Sequence, residues 1–451
     1  MDISNYRIVM PKNPGSTENR AAAFLQQQIR IVRGVKIPIV TDDTPIQDYE
    51  IIIGRTTREI EDGIPFERYP EGVWEYVIKT HGTRVYITGL GCKEVEKKPY
   101  YAYDLINDNA YGTAHAVYRY VEAALGYDFS YADWKSFPTY DKLDVPDYNF
   151  SFTREAIRKQ TIKEIDGAAF YSLRSQEVID WSSNSFILKT KSGKLVIMDG
   201  GRKQDLERLV LSLEKITGGK KPVISAWFIT HLHSDHHGAY VKFATEPEWR
   251  DRLEVEKMYC TLLPKSFYER VDMKSVEAYE ALMNSKELIG AERVQLSVGD
   301  KIVVDEFDFD IVRVPFEEDM DKLNMNDSSV VIRLNYDNGK QKIMFLADAE
   351  TNASNYLIST YADELKSDVV QVGHHGVGNV SKECYEKIGA DVYIWPVCHR
   401  NWYGDNGEGL HTRNIGVYRT RTYMMELGVK LENVYRDTLD ILSFPLPIEI
   451  K

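Results

Sequence analysis

Cysteine is scarce in this chain. Cys92, Cys260, Cys384 and Cys398 are the only four in 451 residues, and they are far apart with no C-x-x-C pair. A disulfide framework is excluded, and reduced thiols are expected. No apolar run approaches the roughly 18 residues of a membrane-spanning helix. The opening Met1-Asp2-Ile3-Ser4-Asn5-Tyr6 has neither a basic head nor an apolar stretch, so it does not read as a secretion signal. These absences predict a cytoplasmic protein with no membrane partner. A basic excess is missing too. Lys plus Arg number 56 against 69 Asp plus Glu, a formal net charge of −13. That balance argues against a general nucleic-acid binder, whose affinity would rest on basic surface.

What is present is ordinary for a folded chain: 43% hydrophobic and 28% charged residues. The length predicts more than one domain. Residues 1–136 read as a smaller α/β domain: a strand at 6–10, a helix at 17–33 closed by Gly34, strands at 36–40 and 49–53, a hairpin of 74–79 with 84–89, and a helix at 112–125. Residues 137–160, with Pro138 and Pro146, read as a linker. Residues 161–451 read as strands interleaved with helices, including one long helix over 265–288, which predicts sheets covered by helices.

Histidine is unevenly spread. Of ten, only His81 and His115 precede residue 230. The apolar strand Ala226-Trp227-Phe228-Ile229 delivers Thr230-His231-Leu232-His233-Ser234-Asp235-His236-His237-Gly238, an H-x-H-x-D-H-H-G run. Residues two apart on an extended chain face the same way, so His231 and His233 can hold one cation. Asp235 and His236 follow where the chain turns and can reach a second. Imidazole with carboxylate suits zinc, with manganese or iron as alternatives.

This run resembles the signature of the metallo-β-lactamase superfamily. Val196-Ile197-Met198-Asp199-Gly200-Gly201 looks like the family's first motif, Phe345-Leu346-Ala347-Asp348 like the strand that delivers a bridging aspartate, and Gly373-His374-His375-Gly376 follows a further strand. Within the superfamily, Gly299-Asp300, Asn326-Asp327-Ser328-Ser329-Val330-Val331 and the Gly-His-His-Gly are most similar to the hydrolase domain of bacterial DNA-uptake competence channels. The resemblance implies an αββα sandwich and two divalent ions held by His231, His233, Asp235, His236, Asp348 and His411. It implies that Asp199, His237 and Asn326 support those ligands. Asp235, His374 and His375 are the implied catalytic groups, either histidine protonating the leaving group when it is not a ligand. His399, Arg400, Trp402 and Arg413, which flank these motifs, are expected to meet the substrate. One departure stands out: no histidine lies between His237 and Asp348, where many members carry a further ligand. His374, water or Asn326 would complete the first ion, and metal stoichiometry stays open.

Residues 5–135 more loosely resemble the N-terminal accessory domain of α-glucuronidases and hexosaminidase-type glycoside hydrolases, through Glu50-Ile51-Ile52-Ile53-Gly54 and Tyr111-Gly112-Thr113-Ala114-His115-Ala116-Val117-Tyr118. The expected function is a binuclear metallohydrolase whose metal-activated hydroxide attacks an anionic ester or phosphodiester, a small molecule or an oligosaccharide derivative. Two other readings are a nuclease acting on nucleic acid and a non-catalytic carbohydrate-binding protein with a vestigial metal site.

Overall fold

The computed structural model describes residues 2–68, 74–91, 111–125, 144–145, 147–175, 181–405, 409–410, 415–438 and 440–451. Contacts group the chain into two units: Met1–Ile157 with His399–Tyr418, and Arg158–Cys398 with Arg419–Lys451. No helix among the described residues is long and apolar enough to cross a membrane.

The first unit runs β1 (Arg7–Met10), α1 (Ser16–Arg33), β2 (Ile39–Thr41), β3 (Glu50–Ile53), α2 (Arg58–Glu61), β4 (Tyr76–His81), β5 (Arg84–Gly89), α3 (Tyr111–Leu125), β6 (Asn149–Phe152) and α4 (Arg154–Arg158). Its sheet has the order β2-β1-β3-β5-β4-β6. Helix α1 starts where the Glu18 carboxylate accepts the Gly15 N–H at 2.9 Å and stops at Gly34, which takes the left-handed cap conformation. Under the sheet lies a buried charge network. The Glu50 carboxylate, fully buried, accepts from Arg7 Nε at 3.0 Å and Arg58 Nε at 3.0 Å, with Arg84 Nε at 3.9 Å.

The sequence expectation fails at the linker. Asn149–Phe152 pairs antiparallel with β4, and Phe152 stacks on Tyr76, so 137–160 is not all connector. Residues 137–143 and 146 lie outside the described residues. A four-residue strand beside prolines carries too short an alternation to stand out.

The second unit runs β7 (Ala169–Ser172), β8 (Ser185–Lys189), β9 (Leu195–Asp199), α5 (Leu206–Ile216), β10 (Val223–Ile229), α6 (Ser234–Thr245), α7 (Pro247–Arg250), β11 (Glu254–Val255), β12 (Lys257–Cys260), α8 (Lys265–Val271), α9 (Ser275–Met283), α10 (Ser285–Ile289), β13 (Glu292–Gln295), β14 (Lys301–Val304), β15 (Phe307–Arg313), β16 (Val331–Tyr336), β17 (Gln341–Phe345), α11 (Thr351–Tyr361), β18 (Val369–Gln371), α12 (Lys382–Ile388) and β19 (Val392–Trp395). After α13 (His399–Tyr403), which belongs to the first unit, come α14 (Ile415–Glu426), β20 (Val434–Arg436) and β21 (Leu442–Pro445).

Two sheets form, β13-β12-β10-β9-β8-β7-β21 and β14-β15-β16-β17-β18-β19-β20. Alternation along β9 shows how they pack. Val196 and Met198 join Phe309, Ile332 and Phe345 of the other sheet in one core, while Leu195 and Ile197 join Leu209 and Leu213 of α5 in another. The layering is helix, sheet, sheet, helix: the αββα sandwich expected. The long helix expected over 265–288 is three, broken at Asp272, whose carboxylate accepts from Lys274 N and Ser275 Oγ, and again at Asn284, between α9 and α10.

Candidate metal centre

Four strands end at one place. β9 closes on Asp199, β10 runs into Thr230 and His231, β17 leads to Asp348, and β18 leads to His374 and His375. These are carboxyl ends of parallel-paired strands, where open α/β sheets place ligands. The backbone turns hard there. Asp199, Ala347, His374 and His375 all have positive φ, between 44° and 61°. Each such residue costs on the order of 1 kcal/mol, so the surroundings must enforce it. Gln371 does so for Ala347: its side-chain oxygen accepts the Ala347 N–H at 2.7 Å and its amide donates to the Ala347 carbonyl at 3.1 Å.

The turns gather six side chains into two trios. His231, His233 and Asp348 each offer a ligand atom within 4.8 Å of the others, and so do Asp235, His236 and His375. Asp348 stands between the trios: Oδ1 is 3.1 Å from His236 Nε2 and Oδ2 is 3.7 Å from His375 Nε2. The buried Asn184, which nothing in the sequence singled out, donates to Asp348 Oδ1 at 3.1 Å.

The donor set fits divalent cations. His231 Nε2 is buried with no hydrogen-bond partner among the described residues, while its Nδ1 faces the hydroxyls of Thr230 and Ser329, each at 3.4 Å. Burial, helped by His236, holds the His231 pKa well below the ordinary histidine value, so the ring is neutral and offers a lone pair. His375 Nδ1 donates to the Pro396 carbonyl at 2.8 Å, which leaves Nε2 for the trio. His236 Nδ1 donates to Asp199 Oδ2 at 2.7 Å. Asp199 also accepts from the Thr230 N–H and hydroxyl, each at 2.9 Å. Burial works to lower the His236 pKa, yet Asp348 and Asp199 outweigh it and hold it well above the usual value. Burial likewise works to raise Asp348, but His236, His375 and His374 hold it far below the usual carboxylate range. A cluster that draws in a proton this strongly is one that a cation can enter by displacing it.

His374 sits apart from both trios. Its Nδ1 is 2.7 Å from Glu350 Oε1 and its Nε2 is 3.8 Å from Asp348 Oδ2. Burial would lower its pKa, but Asp348 and Glu350 raise it. The amides of Asn324 and Asn326 donate to Glu350 at 3.1 and 3.2 Å. Asn326 therefore holds Glu350, whose importance the sequence did not signal beyond its place two residues after Asp348.

The placements correct several expectations. Of His374 and His375, either of which was expected as ligand or as leaving-group acid, His375 stands in the second trio, and the left-handed turn at 374–375 sends the two rings to different neighbours. His237 belongs to neither trio; its backbone N–H donates to the His233 carbonyl at 3.2 Å, and it lines the cavity beside the second trio. His399, Arg400 and Trp402, expected to meet substrate, are buried within the first unit. His399 meets the Tyr76 hydroxyl at 3.2 Å and packs on Phe152, and the Arg400 guanidinium lies 6.0 Å from the centre of the Trp74 ring. These side chains fill a core. His411 and Arg413 lie outside the described residues.

Behind the His375 turn sits a buried carboxyl. Asp437 accepts the Val397 N–H at 3.0 Å and the Ser172 hydroxyl at 3.2 Å, and burial, against the pull of Arg174, pushes its pKa from 3.8 up to about 7. Between those values the folded carboxyl keeps a proton that the unfolded one gives up, so stability is lost as pH rises through the window. Relative to wild type, Asp437→Asn should gain about 4 kcal/mol in metal-free protein between pH 4 and pH 8. Urea midpoints across that range check it; parallel pH profiles would show that Asp437 is ionised when folded.

Residues 178–391 match the family model of the metallo-beta-lactamase superfamily. No curated protein matches the chain. Among solved structures, the chain is similar to the metallo-beta-lactamase fold protein YhfI from Bacillus subtilis, at 10% identity and TM-score 0.37 over 62% of this chain and 100% of that one. It is similar to CmlA, a diiron beta-hydroxylase from Streptomyces venezuelae, at 10% identity and TM-score 0.39; the match covers 62% of this chain and 55% of CmlA. A diphosphatase from the PhnP family matches at 13% identity and TM-score 0.34 over 63% of this chain and 100% of its own.

Proposed function

We propose that the metallo-β-lactamase superfamily domain of this chain is a metal-dependent hydrolase of a small anionic ester or phosphodiester. The observation that carries the reading is the pair of trios, His231-His233-Asp348 and Asp235-His236-His375, with the buried His231 Nε2 lacking any other partner among the described residues. Divalent ions bound there would polarise the scissile group and ionise water near neutral pH. Asp199 and the Pro396 carbonyl fix the ring orientations of His236 and His375, so that both present Nε2. His374, with Nδ1 committed to Glu350, has Nε2 as the atom that can pass a proton to a departing oxygen. Arg202, whose guanidinium is 3.3 Å from Asp235, supplies positive charge for an anionic substrate. The net charge of −13 favours a small substrate over a polyanion such as nucleic acid. The loose sequence resemblance of residues 5–135 to the accessory domain of α-glucuronidases and hexosaminidase-type glycoside hydrolases favours a carbohydrate-derived substrate.

The test is elemental analysis of protein stripped with chelator and reloaded with Zn²⁺, Mn²⁺ or Fe²⁺, alongside hydrolysis of bis(4-nitrophenyl) phosphate. Two equivalents of metal and hydrolysis that chelator removes are expected. A protein that takes up no transition metal overturns the reading.

A further inference from the structure

Beside the second trio lies a cavity of about 350 Å³, lined among others by Trp181, Arg202, Lys203, Ser234, His237 and Gly238. That volume is at the small end for ligand pockets and suits a single ring with its substituents. Its walls are unlike the trios. Trp181 is 44% exposed, a large indole turned outward next to a charged site. The Arg202 guanidinium lies 5.5 Å from the centre of that ring. The same guanidinium donates to the Ser182 carbonyl at 3.1 Å and is 3.3 Å from Asp235 Oδ2. Arg202 is thus the wall shared by the cavity and the trio. On the far side, α6 comes so close that a Cβ on Gly238 would stand 2.5 Å from the Lys203 nitrogen, so glycine alone lets the helix meet this loop. Lys203 Nζ is 3.0 Å from each Glu277 oxygen, which keeps its charge at the rim.

We propose that this cavity is the ring subsite of the substrate: the anionic group lies toward Asp235 and the trios, and an aromatic ring or the C–H face of a sugar ring attached to it stacks on Trp181. The proposal rests on the metal-dependent reading of the trios. An indole face gives stacking area with little ordering cost, and the adjoining guanidinium draws the anionic end toward the metal side. The shared chemistry is a ring bearing an anion, from a glycan derivative or an aryl ester.

Calorimetry on the metal-loaded full chain tests it, with probes the enzyme cannot hydrolyse. Phenylphosphonate is compared with methylphosphonate, and glucuronate with acetate, in wild type and Trp181→Ala. At least one ring should tighten binding about tenfold over its ringless counterpart. Trp181→Ala should erase that advantage while metal content stays at the wild-type value. Whichever ring gains identifies the source. If neither ring adds affinity, or the advantage survives Trp181→Ala, the subsite is overturned. Metal analysis of the same samples separates the two claims: full loading without a ring advantage removes the subsite alone, and no metal uptake removes both.

Discussion

Replacing Asp348 with asparagine is expected to leave a folded protein that holds less metal and hydrolyses at least roughly a hundredfold more slowly. The substitution keeps shape. The asparagine oxygen can still accept from Asn184, as Oδ1 now does at 3.1 Å. What goes is the negative charge that completes the first trio and borders the second, with His236 Nε2 at 3.1 Å and His375 Nε2 at 3.7 Å. Without it the first trio is two imidazoles, a weak donor set for a divalent ion. Elemental analysis and turnover of a phosphodiester read the two effects together. Wild-type metal content in the variant would place the ions elsewhere.

Glu50→Ala should cost the first unit about 3–5 kcal/mol, the largest stability loss expected of a single substitution there. Glu50 is fully buried and neutralises Arg7 and Arg58 from both oxygens, with Arg84 nearby. The alanine variant takes a carboxylate from guanidinium groups that are 2% to 17% exposed; Arg58 keeps Glu61 and Arg84 keeps Asp62, while Arg7 loses its carboxylate. Glu50→Gln, which keeps volume and an acceptor, should lose less. Equilibrium urea unfolding of the full chain checks this through the midpoint of the first unit's transition. A midpoint unchanged in Glu50→Ala would mean that the existing pairs of Arg58 with Glu61 and of Arg84 with Asp62 hold the site without Glu50.

Both expectations draw on features that were unequally legible in the sequence. The histidine run at 231–237 was readable because its residues are contiguous and follow an apolar strand. Asp199 and Asp348 were readable as acids at strand ends. Helix α6, which starts inside that run, was not: Ser, Asp and two histidines are poor helix formers, and the metal pattern reads as a turn. Asn184, Arg202 and Glu350 were hidden for another reason. Each is a lone polar residue whose partner is 24 to 164 positions away, and one chain carries no record of such pairings. The segment at 399–403 misled in the opposite sense. A His-Arg-Asn-Trp-Tyr run after a buried strand looks like a site, yet it fills a core with Tyr76 and Phe152, more than two hundred residues earlier.

Gln371 touches no ligand atom, yet it clasps the peptide of Ala347 from both sides and so aims the aspartate that follows. A carboxylate in its place could offer the acceptor but not the donor, and an aliphatic residue could offer neither. The geometry of this centre thus depends on an amide that a survey of histidines and aspartates alone would pass over. A chain that keeps every apparent ligand but has lost that amide is expected to hold the left-handed turn at Ala347, and the aspartate after it, less firmly.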